Sequence, residues 1–119
     1  MQRFVDLKVW QRSNALVLQV YRMTKSFPPE ERYGLTSQIR RSSLSVPTNI
    51  AEGSKRLTNS EYARFLNIAE GLLAETEYLL MVSRDLGYLP ASTTKPLLLE
   101  SDEIAKMLHA LRIKVVKSA

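Results

Sequence analysis

The chain has 119 residues, 45% of them hydrophobic, no cysteine and a formal net charge of +5 at pH 7. That length suits one domain with its own core, and the lack of cysteine excludes disulfide frameworks and thiolate chemistry and fits a reducing, cytoplasmic setting. No apolar run approaches the ~20 residues of a membrane span, and the start Met1-Gln2-Arg3-Phe4-Val5-Asp6 lacks a signal-peptide core, so no membrane role for a helix is expected.

The first helix is expected from about Asp6 to Lys25. Leu7, Trp10, Val17 and Tyr21 form one apolar stripe, and Leu16, Val20, Met23 and Phe27 a second. Phe27-Pro28-Pro29 breaks the pattern. A second helix follows from about Leu35 to Gly53 or a little beyond, with Leu35, Ile39, Val46 and Ile50 at helical spacing. Pro47 falls inside it and removes the bond to the Ser43 carbonyl, a cost of roughly 3 kcal/mol. The serines before it can bond freed carbonyls, and a bend at Pro47 is expected. The bend would aim Arg40 and Lys55 in different directions. Gly53 reads as the stop. Asn49 and Glu52, just before it, read as structural, bonding backbone in the loop from Gly53 to Thr58 or facing a partner subunit.

Thr58-Asn59-Ser60-Glu61 is a capping box opening the third helix, which ends at Leu86-Gly87 with Pro90 beyond. Ser92-Thr93-Thr94 reads as the cap of a fourth helix, with Pro96 in its first turn and Asp102–Lys106 as an i,i+4 pair outside. Strand alternation and Asn-Gly or Asp-Gly turns are absent. The fold class is therefore all-α: an up-down-up-down antiparallel four-helix bundle in one domain, residues 1–119, with its second helix bent at Pro47. Two helices carry surplus apolar surface, the first through its double stripe and the third through Ile68, Gly71, Ala74, Tyr78 and Val82. A bundle helix needs one apolar face. A second face points to a homo-oligomer, the alternative being a wide core stripe in a small bundle.

Little catalytic chemistry is available. A di-iron bundle site needs two Glu-x-x-His pairs, and His109 is the one histidine, with Lys at 106. No Gly-x-Ser-x-Gly elbow or glycine-rich phosphate loop is present. Glu52, Glu70, Glu75 and Glu77 could do acid–base or metal work, or simply pair with Arg40, Arg41 or Arg64. The positive charge admits nucleic acid first and an anionic membrane surface second, or a basic surface with neither partner. Two basic patches are expected: Lys8, Arg12 and Arg22 on the first helix, and Arg40, Arg41, Lys55, Arg56 and Arg64 around the second and third. Without a recognition helix or stacking platform, contact would run to phosphates. Each patch could equally be a solvated face with ion pairs such as Glu52–Arg56.

Three blocks carry a resemblance: Leu7-Lys8-Val9-Trp10-Gln11 with Phe27-Pro28-Pro29-Glu30-Glu31-Arg32-Tyr33-Gly34-Leu35; Gln38 to Gly53; and Glu61-Tyr62-Ala63-Arg64-Phe65-Leu66-Asn67-Ile68-Ala69-Glu70-Gly71. In order and with matching gaps from about Phe4 to Leu89, the chain resembles the four-helix-bundle family of proteins encoded in intervening sequences of bacterial 23S ribosomal RNA genes. The accessory variability determinant of diversity-generating retroelements belongs to the same family. Leu72-Leu73 departs from the small serine that family members often carry after Gly71. The resemblance implies a closed homopentamer, a basic surface suited to RNA or DNA, and, in the retroelement branch, a reverse transcriptase as partner. It implies no enzymatic activity and no cofactor. The expected function is that of a homo-oligomeric accessory protein contacting nucleic-acid phosphates, with a protein–protein scaffold as the alternative.

Overall fold

The computed structural model describes residues 3–118 and contains four α-helices: α1 (Lys8–Thr24), α2 (Leu35–Ser54), α3 (Asn59–Asp85) and α4 (Ala91–Lys117). Among the described residues there is no strand. Short 3-10 turns at Phe4–Asp6 and Pro29–Glu31 precede α1 and α2.

Each helix packs on the next, and α4 returns to α1. Cross-helix pairs fix the sense of packing. Ser42 meets Thr76 while Gly53 lies against Phe65, so numbers rise along α2 as they fall along α3. Likewise Arg40 reaches Tyr21 and Thr24, while Trp10 shares a groove with Pro47 and Ala51. The inward faces of Val20, Ile39, Ile50, Leu66, Leu80, Ile104 and Leu108 are fully buried and form the core.

Local chemistry explains the boundaries. Thr58 caps α3, its Oγ1 accepting from the Glu61 amide at 3.2 Å. The reciprocal bond from the Glu61 side chain is not among the hydrogen bonds formed. Gly87, at φ 80°, terminates the helix as expected. The start of α4 corrects the sequence reading. Pro90, in extended conformation, is the N-cap, and the Thr94 hydroxyl turns back to the Pro90 and Ala91 carbonyls rather than capping. Pro96 thus lies within the helix, where the carbonyl it deprives belongs to exposed Ser92. The expected Asp102–Lys106 pair is also replaced, because Lys106 meets Glu103 at 3.7 Å.

The N-terminus of α2 is held from outside. Glu31 accepts the Leu35 amide at one oxygen and the Tyr88 hydroxyl at the other, at 2.9 Å. Phe27 packs against the Tyr88 ring, so this point ties the α1–α2 link to the α3–α4 link. Helix α2 is continuous through Pro47. Its hydroxyls do bond carbonyls there: Ser43 to Arg40, Ser45 to Arg41, Thr48 to Leu44. None of these bonds ends on the Ser43 carbonyl.

Two residues near the helix end behave differently from the sequence reading. The helix ends at Ser54, within the expected bound, but Gly53 is a packing residue in its last turn rather than the stop itself. A Cβ there would stand 2.7 Å from the Phe65 Cβ, so glycine is what lets α3 approach. Asn49 donates to the Ser45 carbonyl at 2.8 Å, within its own helix, rather than to the loop.

Candidate nucleic-acid interface

The antiparallel packing sorts the cationic side chains into two classes: pinned and free. Arg40 is pinned. Its guanidinium donates to the Thr24 hydroxyl at 2.7 Å and the Tyr21 carbonyl at 3.2 Å, and lies 4.8 Å from the Tyr21 ring centre. Arg12 is also pinned, gripping both carboxylate oxygens of Glu100 on α4, with Nε–Oε2 at 2.9 Å. That hydrogen bond holds its guanidinium above the ordinary pKa. Both arginines join helices and are held by partners within the chain.

Lys8, Arg22, Arg41, Lys55, Arg56 and Arg64 are exposed, and none has a carboxylate partner among the described residues. The expected Glu52–Arg56 pair does not form. Arg56 instead lies 4.7 Å over the Phe65 ring.

The patches are redrawn by topology. Lys8 and Arg22 stand fourteen positions apart on α1, about 21 Å along its axis, so the first patch is split. Arg41 is separated from Lys55 by the same interval along α2. It lines a cleft of about 410 Å³ between α2 and α3 with Tyr33, Ser37, Ser45 and Glu75. Lys8, Lys55, Arg56 and Arg64 lie at a similar level toward one end of the bundle, where α1 begins and the α2–α3 loop lies. Arg3, just before the Phe4–Asp6 turn, and Lys114 and Lys117, in the last turn of α4, point toward the same end and lie outside the patches expected from the sequence. The signal for them was available: antiparallel packing directs the last turn of α4, with its basic residues, toward the end of the bundle where α1 begins. Asp6, Glu52 and Glu61 are the carboxylates nearby.

The acidic candidates are dispersed. Glu70 bonds Arg112 of α4, with His109 Nδ1 3.7 Å away. Glu75 lines the α2–α3 cleft and Glu52 a groove beside Trp10. Among the described residues no three His, Cys, Asp or Glu side chains are placed to share a metal ion. No helix is long and apolar enough to cross a membrane.

The model of the 23S rRNA-intervening sequence protein family matches residues 5–110. The chain belongs to that family. A solved structure from the S23 ribosomal protein family, a protein of unknown function from Bacteroides thetaiotaomicron VPI-5482, has the same fold. It is 24% identical, with a TM-score of 0.78, over 87% of this chain and 97% of that one. No curated protein matches the chain. The family is not an enzyme class, and the free cations at the bundle end are the most evident chemistry this member offers.

Proposed function

We propose that this chain is a non-enzymatic accessory protein that assembles with copies of itself, as a closed ring of five, and binds RNA or DNA by phosphate contact. The observation that carries the reading is that Lys8, Lys55, Arg56 and Arg64, on helix turns toward one end of the bundle, are exposed and without carboxylate partners among the described residues. Arg41 is a further contact. Unpaired, hydrated cations release counterions from a polyanion, the main source of sequence-independent affinity. Arginine also adds bidentate geometry toward phosphate.

Assembly is supported by the outer face of α3. Ile68, Gly71, Ala74 and Tyr78 lie opposite its core side, where a solvated helix would carry charge. Tyr78 is 63% exposed, Ile68 is 39% exposed, and nothing stands within 4 Å of a Cβ at Gly71. A ring would bring several cationic ends together and steepen attraction to polyanions. The same face favours a second reading, a scaffold that docks a protein such as a reverse transcriptase without touching nucleic acid itself.

Binding of labelled RNA and DNA against salt separates the two readings. A site using four cations per chain gives log K falling with log salt at a slope of about −3 to −4 or steeper. Weak binding that stays flat between about 50 mM and about 200 mM salt rejects the first reading.

A further inference from the structure

The α2–α3 loop holds the most exposed large apolar side chain among the described residues. Leu57 is 99% exposed. A leucine at a loop tip has no role in the core, and its neighbours are not apolar. Lys55 and Arg56 precede it, and Arg64 lies on the second turn of α3. The base of the loop is firm: buried Gly53 packs against Phe65 and Tyr62. Phe65 in turn carries the Arg56 guanidinium 4.7 Å from its ring centre. Arg56 remains exposed, so its guanidinium sits over an aromatic ring while still open to solvent. A planar cation held this way is a surface on which a nucleobase stacks, and an apolar side chain beside it can fill the gap between splayed bases.

We propose that this loop recognises an unpaired base of single-stranded nucleic acid, with Arg56 on Phe65 as the stacking surface, Leu57 as the wedge, and Lys55 and Arg64 on the flanking phosphates. The inference rests on the nucleic-acid reading above and adds the form of ligand. A duplex offers the same phosphates but no free base face, so the loop discriminates between the two. A membrane is the less fitting occupant. A single leucine buries less than one acyl chain, which itself gives only marginal attachment.

The test uses the full chain and a short labelled RNA, single-stranded or annealed to its complement, followed by fluorescence anisotropy. Leu57→Ser and Arg56→Lys are the variants; thermal unfolding checks that both stay folded. Arg56→Lys keeps the charge and loses the plane. Each variant is expected to bind single-stranded RNA about tenfold more weakly; Leu57→Ser leaves duplex affinity and salt slope unchanged, and Arg56→Lys leaves the salt slope unchanged and costs the duplex clearly less than the single strand. Wild-type binding that both variants retain in full overturns the loop's role and leaves phosphate binding standing. Equal losses on single strand and duplex also overturn it. No wild-type binding to either RNA overturns both proposals. Leu57-dependent binding to phosphatidylserine vesicles, with RNA binding unaffected, assigns the loop to a bilayer and refutes the inference.

Discussion

Replacing Gly53 with alanine sets two opposed effects against each other. Alanine is favoured over glycine inside a helix by about 1 kcal/mol. The added Cβ, however, stands 2.7 Å from the Phe65 Cβ and 3.1 Å from the Tyr62 Cδ1. The Phe65 Cβ is fixed to the α3 backbone, so no rotamer change relieves the overlap, and the helices must separate. Overpacking of this kind costs about 1–3 kcal/mol, and a contact fixed to backbone belongs at or above the upper end. The net loss is then about 2 kcal/mol, or about 6–8 °C in Tm for a domain of this size. Gly71→Ala is the control within a single protomer, read at protein concentrations low enough to dissociate the assembly, because Gly71 lies on the proposed assembly face. Nothing stands within 4 Å of its Cβ, so the protomer gains up to about 1 kcal/mol. Calorimetry at matched protein concentration reads both, since assembly makes Tm concentration-dependent. A Gly53→Ala protein as stable as its parent would refute the close-approach account of the α2–α3 contact.

Other expectations follow from single groups. Burial, and secondarily Asp102, pushes the Glu77 carboxyl above its usual range. A raised folded-state pKa gives stability that is present at low pH and lost as pH rises. Glu77→Gln is therefore expected to raise Tm at neutral pH and to lose that advantage below about pH 4, as read by paired melts. The hydrogen bond to Glu31, with burial and the charges of Glu31 and Glu30 behind it, raises the Tyr88 phenol. Its contribution is complete below about pH 10 and lost above, so Tyr88→Phe lowers Tm at neutral pH and narrows the gap in alkali. Tyr78→Arg places a charge on the outer face of α3. It is expected to reduce the mass in sedimentation velocity to that of a protomer while the helical circular dichroism persists. Unchanged mass would show that this face is not the assembly surface.

What was legible in the sequence was whatever depends on local spacing. Thr58 and Glu61 mark the start of α3, Gly87 its end, and the apolar periodicity gives all four helices. What was hidden depends on a partner far along the chain. Arg40 and Arg41 are adjacent and chemically alike, yet one is held by Tyr21 and Thr24 while the other lies open. Arg12 is indistinguishable from Lys8 until Glu100, on another helix, is placed beside it. Gly53 reads as a stop because glycine commonly ends helices; only the approach of Phe65 reveals a packing role. The fourth helix starts ahead of Ser92-Thr93-Thr94, which look like caps, because Pro90 already sets the extended residue from which the helix begins. The cationic end was visible only in part, since Lys114 and Lys117 join it through topology rather than sequence proximity.

The most direct test compares two charge-neutralised proteins in RNA binding across a salt series. One carries Lys55→Gln, Arg56→Gln and Arg64→Gln at the bundle end; the other carries Arg22→Gln, away from it. The end variant is expected to lose most of its affinity and to flatten the log–log salt slope by about three, whereas Arg22→Gln leaves the slope within about one of the parent. Equal slopes for parent and end variant would contradict the assignment of that surface to the polyanion.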